Sequence, residues 1–536
     1  MNSERRESSG HPSFSAAIRA AYASGQEDEA LEPMVKVDRE GRPIGRISRG
    51  DSVIFYDVRG EREVEITRSL TDPGFSEFPV IPDLGLNFVT MIEYDPRLRV
   101  RVAFPKQDKI RNTLTEVVTG AGIRLAKIAE SEKAVHVGFF LNGKNEADFP
   151  GEERLIVPSP SNIDNYDERP EMSASLVTDE VIRKINDPGC RLMIANFANV
   201  DVVGHIENRS AAVRAVETVD RELGRVTAEA ERAGMTLIVT SDHGTVEEWL
   251  YPDGTVNTGH TKNPVPFILA DFSAGRALRP TLRASGELAD VAPTVLEILG
   301  VGAPAEMTGS SLLSAPQEGD KKKRRVAMVI LDGWGMRDEK RGNLIAEART
   351  PNFDRLWSGF PHALLQSAGE AVGMPPGTVG NSEAGHLHLG AGRRIFLDRV
   401  RIDRAIEDAS FFTNEALIWA VEQARSRRRS IHLMGIISHY SSHGTIDHLF
   451  ALLELARRAG VKDVFVHGFI GRRGEKPESG AIYVEKVEEE SRALGVGEVA
   501  TVVGRYWSLD REENWGRVEK AYRALVLGEG TRISGA

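Results

Sequence analysis

The chain contains almost no cysteine: among its 536 residues, Cys190 is the only one. A lone cysteine excludes an intramolecular disulfide, so the composition favours a reducing compartment, and we expect a cytoplasmic protein. Long hydrophobic runs are also missing, because no stretch approaches the roughly 20 apolar residues that cross a bilayer. The first residues, MNSERRESSGHPS, are polar and contain no apolar signal segment. We therefore expect neither export nor a membrane anchor.

Positive charge is not in excess. Lys and Arg total 68 against 79 Asp and Glu, which gives a net charge of −11. This acidic balance disfavours electrostatic binding to nucleic acid or anionic lipid, so we expect no nucleic-acid partner. The hydrophobic share of 41% and the charged share of 27% are typical of folded globular proteins. At roughly 100–200 residues per domain, the length predicts two to four domains.

Short apolar runs alternate with segments of helical periodicity. The runs predict buried strands at 51–56, 191–196, 235–240, 325–331 and 462–467. Helices are predicted at 208–233, 287–299, 414–424 and 447–459. This alternation predicts an α/β protein with a mainly parallel sheet flanked by helices. Reactive groups should then lie beyond the carboxyl ends of the strands.

A polar, charge-dense segment at about residues 314–325 follows the predicted helix 287–299 and precedes the strand at Arg325. Its composition predicts a linker. The basic run 321–325 could instead contact nucleic acid, but a charge run beside a strand is more commonly a solvated boundary.

Residue types that bind metals occur in four places in or near loops that follow predicted strands. They are Asp201 with His205, Asp242 with His243, His260, and Asp332. The first pair is four residues apart and could share one face of a helical turn. The second pair is adjacent, so its side chains diverge and could serve two ions. An Asp or His after a strand is, by itself, more often a turn former or a hydrogen-bonded polar group. Together, however, these residues favour a two-metal site for Mn²⁺ or Zn²⁺.

Two-metal sites stabilise the attacking and leaving oxygens of phosphoryl transfer, and such a reaction needs a nucleophile. Ser382 is the candidate hydroxyl, because it lies in the glycine-bracketed turn Gly380-Asn-Ser-Glu-Ala-Gly-His386. The following Gly390-Ala-Gly-Arg-Arg could offer backbone N–H groups to a phosphate. The alternative is that Asn381 and Ser382 simply cap a helix.

Arginines form a second set of candidates: Arg59, Arg62, Arg473, Arg505 and Arg511. Guanidinium groups bind carboxylate and phosphate oxygens in pairs, which suits a small substrate that carries both groups. Any one of them could equally be a solvated surface residue. His443 and Lys133 are further candidates for anion contacts, although their spacing alone does not support this.

The motifs together resemble the cofactor-independent phosphoglycerate mutases of the alkaline-phosphatase-like superfamily. The resemblance extends over nearly the whole chain and rests on Asp332-Gly-Trp-Gly, Gly380-Asn-Ser-Glu-Ala-Gly-His, Asn196-Phe-Ala-Asn-Val-Asp-Val-Val-Gly-His, Ser241-Asp-His-Gly, Gly259-His-Thr and Gly504-Arg-Tyr-Trp. It implies an isomerase of glycolysis and gluconeogenesis. Such an enzyme interconverts 3-phosphoglycerate and 2-phosphoglycerate through a phosphoserine at a two-manganese site.

The resemblance also implies roles for individual residues. One Mn²⁺ would be bound by Asp332, Ser382, Asp242 and His243, and the other by Asp201, His205 and His260. Zn²⁺, Co²⁺ or Mg²⁺ could replace manganese, and Ser382 would carry the phosphoryl group. The phosphoglycerate would be held by His443, Arg473, Arg505, Arg511, Arg59, Arg62 and Lys133. We expect a monomer whose partner is this small molecule.

The order of the motifs departs from the family. There the Asp-Gly-Trp-Gly strand opens the protein and the His-Thr segment closes it, whereas Asp332 lies in mid-chain here. This order predicts a circular permutation, which is tolerated where the original ends lie close together. A phosphatase-like metal-binding domain would cover residues 109–396 with its linker at about 314–325. A smaller α/β transferase domain would combine residues 1–108 and 397–536.

A second departure concerns chemistry. The family pattern Phe-Leu-Asp-Gly-Arg-Asp is replaced by Phe469-Ile-Gly-Arg-Arg-Gly474, so glycine stands at both aspartate positions. The second aspartate is the family's candidate for proton transfer at the glycerate hydroxyls; Glu475, His439 or His443 could substitute. A metal-dependent phosphatase, or a mutase for a related phospho- or phosphono-acid, is therefore the alternative function. A non-catalytic protein is disfavoured, because the nucleophile and all ligand types are present.

Overall fold

Strands and helices alternate along the chain, as the apolar runs predict. The computed structural model describes residues 13–106, 109–273, 280–315, 324–439, 443–471 and 479–534. In chain order its strands β1 to β16 are Met34–Val37, Ser52–Phe55, Asn87–Ile92, Arg101–Phe104, Arg124–Glu130, Glu152–Val157, Cys190–Phe197, Thr236–Thr240, Val265–Asp271, Ser285–Glu287, Val326–Leu331, His362–Gln366, Ile431–Ile436, Val464–Ile470, Glu498–Gly504 and Thr531–Ser534.

The α-helices of the described residues, α1 to α16, fill most of the intervals. They are Phe14–Ala23, Val64–Thr71, Leu114–Gly120, Ala174–Ile185, Asn199–Gly204, Arg209–Arg232, Val291–Leu299, Leu344–Glu347, Pro351–Gly359, Ser382–Ala391, Asp398–Glu407, Glu415–Arg427, Ile446–Ala459, Gly480–Leu494, Arg505–Ser508 and Trp515–Tyr522. Every strand and helix predicted above is present, with ends shifted by a few residues. By the same bounds, no described helix combines the length and apolar character needed to cross a membrane.

The chain divides into two units, one of which is built from both ends of the sequence. This end unit combines Met1–Lys106 with Asp398–Ala536, and the middle unit is Gln107–Leu397. Their description as a transferase domain and a phosphatase-like domain stays a prediction.

Each unit contains one mainly parallel sheet. In the middle unit the strand order is β10-β12-β9-β8-β11-β7-β5-β6, with antiparallel pairs only where β9 meets β8 and β12. In the end unit the order is β16-β1-β15-β14-β13-β2-β3-β4, and β1 with β15 is the antiparallel pair. These sheets confirm the predicted α/β class.

Helices cover both faces of each sheet. Alternate residues of a central strand therefore pack into two separate hydrophobic cores, one on each face. In β11, Ala327, Val329 and Leu331 pack into one core and Val326, Met328 and Ile330 into the other. A strand buried on both faces has no polar alternation, which explains the continuous apolar run in the sequence.

The described residues of the basic run 321–325 form contacts with other parts of the chain. Arg324 forms an ion pair with Asp271 at 3.1 Å. Arg325 donates hydrogen bonds to the carbonyl oxygens of Cys190, at 3.0 Å, and Ile185, at 2.7 Å. These contacts favour the boundary interpretation over nucleic-acid binding. Residues 316–323 of the predicted linker lie outside the described residues.

Candidate active site

Three adjacent parallel strands of the middle unit bring the predicted metal ligands together. Strand β11 lies between β7 and β8, with all three running in the same direction. Asp332 directly follows β11, Asp242 follows β8 by two residues, and Asp201 lies in α5 just after β7. The candidate ligands therefore meet at the carboxyl edge of the sheet, where the sequence predicted them.

The loop after β11 comes unusually close to α5. The backbone N–H of Asp201 donates to Asp332 O at 3.1 Å. Gly333 has φ +82°, and a Cβ there would lie 2.9 Å from Asp201 Cα. Glycine is thus required in Asp332-Gly-Trp-Gly both for its backbone conformation and for this approach.

The three predicted histidine ligands are oriented through their Nδ1 atoms. Nδ1 lies 2.7 Å from Thr258 O in His205, 2.9 Å from Gly380 O in His260, and 3.2 Å from Gly244 O in His243. A carbonyl only accepts, so each Nδ1 donates its proton to the carbonyl, and Nε2 is the ring nitrogen that faces the site. Histidine ligands of metals are held by a second hydrogen bond of this kind.

The Nε2 atoms of these histidines converge on one carboxylate oxygen. Asp201 Oδ1 lies 3.2 Å from Nε2 of His205, 3.3 Å from that of His260 and 3.6 Å from that of His243. Asp201 Oδ1 and Asp242 Oδ2 are buried and have no hydrogen-bond partner among the described residues. Converging imidazole nitrogens and unpartnered carboxylate oxygens fit a cation, so the residues present match the metal-binding role.

Ser382 lies at the centre of the charged groups. Lys133 Nζ donates to Ser382 Oγ at 2.7 Å, and His243 Nε2 lies 2.9 Å from the same oxygen. Ser382 Oγ in turn donates to Asp332 Oδ1 at 3.2 Å. Ser382 is 6% exposed, and its Oγ contacts an ammonium, an imidazole and a carboxylate.

Lys133 lies among the predicted metal ligands of the middle unit. Its ammonium donates to Asp201 Oδ2 at 2.7 Å and to Asp332 Oδ1 at 2.8 Å. Burial by itself lowers the pKa of Lys133, but the carboxylates of Asp332, Asp201 and Asp242 outweigh burial and raise it well above the ordinary value. The ammonium therefore stays charged beside the serine.

The ligand set is buried at one end and partly exposed at the other, and its two buried aspartates differ in pKa. Asp242, His243 and Asp332 are fully buried, whereas the His205 side chain is 43% exposed. Burial and the neighbouring Asp242 raise the pKa of Asp332. Burial acts in the same direction on Asp242, but His243 and His386 outweigh it and lower the pKa of Asp242.

Helix α10 positions Ser382, and its start contains both a capping residue and the candidate nucleophile. Asn381 caps the helix, because its side chain accepts the N–H of Ala384 at 2.8 Å. Ser382 is the first helical residue, and its hydroxyl points to Lys133 and Asp332. The cap and the candidate nucleophile are thus two neighbouring residues with separate functions.

Two buried residues of the site were not predicted as functional from the sequence. Asn196 Nδ2 donates to Asp332 Oδ2 at 2.7 Å, and His386 Nδ1 lies 3.3 Å from Asp242 Oδ2. His386 follows Ser382 by four residues on the same helix face, so helical spacing could have found it. Asn196 lies inside a buried strand, where a polar residue is itself a signal.

The end unit brings most of the predicted substrate contacts into one region. Arg59 and Arg511 both bind Glu61 Oε2, at 3.4 and 2.8 Å. Arg62 donates to Leu509 O at 3.0 Å, and Arg505 donates to Glu29 Oε1 at 3.1 Å. His443 lies within the electrostatic range of Arg505, Arg59 and Arg62. Arg473, Gly474 and Glu475 lie outside the described residues.

A family model matches more than half of the chain. The Metalloenzyme superfamily profile matches residues 11–303, which is more than half of the 536 residues. The chain belongs to the Metalloenzyme superfamily. A second family profile, described as "BPG-independent PGAM N-terminus", matches residues 402–535 of the chain. Superfamily membership and the buried carboxylate–imidazole clusters indicate a metal-dependent enzyme.

Named relatives of this metalloenzyme are 2,3-bisphosphoglycerate-independent phosphoglycerate mutases. The protein from Thermomicrobium roseum is 47% identical over 56% of this chain and 58% of its own length. The protein from Moorella thermoacetica is 45% identical over 56% of this chain and 57% of its own length. The match thus spans less than two thirds of either relative. These matches confirm the resemblance drawn from the motifs.

A solved structure of Leishmania mexicana phosphoglycerate mutase also matches. It is 27% identical, covers 52% of this chain and 53% of its own, and has a TM-score of 0.36. The fold described above rests on this chain's own strands and their pairing.

Proposed function

We propose that this chain interconverts 3-phosphoglycerate and 2-phosphoglycerate through a phosphoserine on Ser382. The observation that carries the proposal is the contact of Ser382 Oγ with Lys133, His243 and Asp332. The names of the relatives support the substrate.

The charges around Ser382 support its role as a nucleophile. Lys133 places a positive charge 2.7 Å from Oγ, which favours an alkoxide over a neutral hydroxyl. In the proposed reaction, Ser382 has released its hydroxyl proton to solvent before transfer, and a bond forms between the Oγ alkoxide and phosphorus while the ester bond to the glycerate oxygen breaks. The glycerate oxygen takes up a proton. The reverse transfer to the other hydroxyl then releases the serine.

We assign two Mn²⁺ ions to the ligand set of the middle unit. One would be held by Asp201, His205 and His260, and the other by Asp332, Ser382, Asp242 and His243. When bound, such ions lower the pKa of an attached hydroxyl and neutralise phosphoryl oxygens. The protein's own contribution is to fix the imidazoles through Thr258, Gly380 and Gly244.

The end unit would bind the glycerate. Arg59, Arg62, Arg505 and Arg511 supply guanidinium groups for a carboxylate and a phosphate, and Arg473 and His443 complete the proposed set. Lys133 belongs to the same proposed set, but its contacts with Ser382 and Asp332 favour the transferring phosphoryl group over the glycerate.

One observation favours the alternative of a phosphatase or a mutase for a related phospho- or phosphono-acid. Gly471 has φ +98°, and a Cβ there would lie 2.5 Å from Glu29 Cα. An aspartate side chain does not fit at this position without backbone movement. The carboxylate that the family pattern has at this position is therefore missing from the end unit.

The deciding experiment is conversion of 3-phosphoglycerate by the full chain loaded with Mn²⁺, without added bisphosphoglycerate. We expect 2-phosphoglycerate to form with little free phosphate. Free phosphate as the main product would establish the phosphatase alternative, and absence of both products would reject phosphoglycerate as substrate. Elemental analysis should find two metal ions per chain, and their removal by a chelator should abolish turnover until Mn²⁺ is restored.

We also propose that the sequence is circularly permuted and that the protein is a monomer in the cytoplasm. The order of the two family matches supports the permutation, since a profile described as an N-terminus matches residues 402–535. The single cysteine, Cys190, excludes an intramolecular disulfide, which supports a reducing compartment.

A further inference from the structure

Three titratable side chains are buried together in the end unit. Asp57 and Glu63 are fully buried, and His443 is 2% exposed. Asp57 follows β2, Glu63 directly precedes α2, and His443 lies between β13 and α13. We call these three residues the buried triad.

The triad is connected by a short hydrogen bond and contains one unpartnered oxygen. His443 Nδ1 lies 2.6 Å from Glu63 Oε1. Asp57 Oδ1 accepts the backbone N–H of Ile436 at 2.7 Å, whereas Asp57 Oδ2 has no hydrogen-bond partner among the described residues. One side-chain donor or acceptor atom from each of the three residues lies within 4.8 Å of the others.

Two buried carboxyl groups at this distance disfavour a state in which both are ionised. Burial raises the pKa of Asp57 well above its usual range, and it raises the pKa of Glu63 to about 8. Burial also lowers the pKa of His443. The triad therefore holds a carboxyl proton at neutral pH, next to an imidazole that can receive it.

Among the described residues, arginines and tyrosines act on the triad. Arg505, Arg59 and Arg62 act on His443, and each lowers its affinity for a proton. Tyr94 Oη donates to the backbone oxygen of Asp57 at 2.7 Å, and Tyr56 lies within electrostatic range of the Asp57 carboxyl group. The three arginines attract an anionic substrate and disfavour a divalent cation.

We propose that Asp57, Glu63 and His443 act as one proton-sharing unit, in which the two carboxyl groups position His443 as the acid–base group for the glycerate hydroxyls. This inference rests on the proposed function. Asp57 and Glu63 are positioning residues, because they act through His443.

The proton balance follows from the hydrogen bond between Glu63 and Nδ1. With Glu63 protonated, its O–H donates to Nδ1, and Nε2 carries the proton that the imidazole can give away. When the phosphoryl group leaves the first glycerate oxygen, that oxygen takes the Nε2 proton, and the Glu63 proton moves to Nδ1. When the second hydroxyl accepts the phosphoryl group, its proton returns to Nε2 and the Nδ1 proton returns to Glu63. One turnover thus leaves the triad unchanged.

The test compares Glu63→Gln and Asp57→Asn with the wild type, each as the full chain loaded with Mn²⁺. We expect Glu63→Gln to lower kcat for 3-phosphoglycerate by about 100-fold with little change in KM, since acid–base groups contribute at least this much. The pH dependence of kcat should flatten as well. Glu63→Asp, which restores the carboxyl group, should recover part of the lost rate.

Glu65→Gln is the matched control. Glu65 is 6% exposed, lies in α2 just after Glu63 and accepts the N–H of Glu513, so the variant removes a buried carboxylate outside the triad. We expect its pH profile to match the wild type. Circular dichroism of all variants establishes that they are folded.

A second measurement does not depend on turnover. Infrared spectra of the metal-loaded protein without substrate should contain the band of a protonated carboxyl group at pH 7, and the band should shrink in Glu63→Gln and Asp57→Asn. An active wild type with an unchanged pH profile in Glu63→Gln would overturn the inference. A tightly bound extra metal ion that Glu63→Gln loses would also overturn it, in favour of a metal site. An inactive wild type would instead reject the proposed function.

Discussion

Ser382 and Asn381 divide two functions between neighbouring residues at the start of one helix. Asn381 satisfies a free backbone N–H, and Ser382 directs its hydroxyl to Lys133 and Asp332. A serine at this position is not needed for capping, so its chemistry can be removed without removing the cap.

Replacing Ser382 by alanine should abolish phosphoryl transfer. Without Oγ there is no acceptor for the phosphoryl group, and we expect turnover of 3-phosphoglycerate to fall more than about 1,000-fold, as for other covalent nucleophiles. Transfer of labelled phosphate from substrate to protein should disappear as well. Ser358→Ala, at a hydroxyl that donates to Asp354 O within α9, is the control and should keep full activity. Residual labelling of Ser382→Ala would identify a different nucleophile.

Glu63 should make stability depend on pH. Its pKa is raised from 4.5 to about 8 by burial, so the folded state binds a proton that the unfolded state has released between these values. The stabilisation is complete below pH 4.5 and is lost as the pH rises through about 8. Wild-type protein should therefore lose more Tm between pH 5 and pH 8.5 than Glu63→Gln, measured by calorimetry. Glu489→Gln, at an exposed glutamate of α14, should behave as the wild type, and parallel Tm curves for all three proteins would contradict the assignment.

At the scale of elements, the site depends on how closely α10 packs on the loop after β8. A Cβ at Gly385 would lie 2.6 Å from Asp242 O and 2.7 Å from Asp242 Cβ. The absence of a side chain at Gly385 therefore sets the distance between the helix that carries Ser382 and a predicted metal ligand. This is a packing requirement, since Gly385 has ordinary helical backbone angles.

Gly385→Ala should loosen the metal centre. The added methyl group forces α10 or the Asp242 loop to move, at a cost of about 1–3 kcal/mol in the free energy of unfolding. We expect a lower Tm and a weaker hold on Mn²⁺, measured as metal content after dialysis. Gly120→Ala is the matched control, because a Cβ at the end of α3 meets no atom within 4 Å. Equal metal retention in both variants would show that the contact has no part in metal binding.

At the scale of the whole molecule, the described ends of the chain lie near one another. Ser13 and Ser534 line the same surface cavity, and Phe14 donates its N–H to Glu488 on α14 at 2.8 Å. Strand β16 pairs with β1, so the last described residues belong to the same sheet as the first strand. Joined ends would therefore require only a short connection.

A chain whose present ends are joined and whose new ends open within residues 316–323 should fold. We expect it to retain the metal content and most of the 3-phosphoglycerate turnover of the present chain, because no described strand or helix is interrupted. Metal analysis and the mutase assay check this. A rearranged chain opened inside β11 should fail to fold and serves as the negative control. Failure of the first chain as well would argue against the permutation.

The local parts of the fold could be predicted from the sequence. Buried parallel strands are continuous apolar runs, so β7, β8 and β11 were found without knowledge of their neighbours. Their loops carry Asp201, Asp242 and Asp332, and parallel strands bring such loops to one edge. The metal-ligand set could therefore be proposed from strand ends and residue types.

The position of Lys133 could not be predicted in the same way. Its ammonium contacts Asp201, 68 positions away in the sequence, and Ser382, 249 positions away. The order of strands in a sheet decides such contacts, and hydrophobic periodicity contains no information on that order. The same reason hid the pairing of Glu63 with His443, which are 380 positions apart.

The sequence by itself determined the α/β class, the candidate metal ligands and the candidate nucleophile, because each depends on residues within one strand, loop or helix turn. Only the tertiary structure decided that Lys133 lies against Ser382 and that Asp57, Glu63 and His443 are buried together. Burial and charge proximity are properties of packed elements. They set the protonation states on which the proposed chemistry depends.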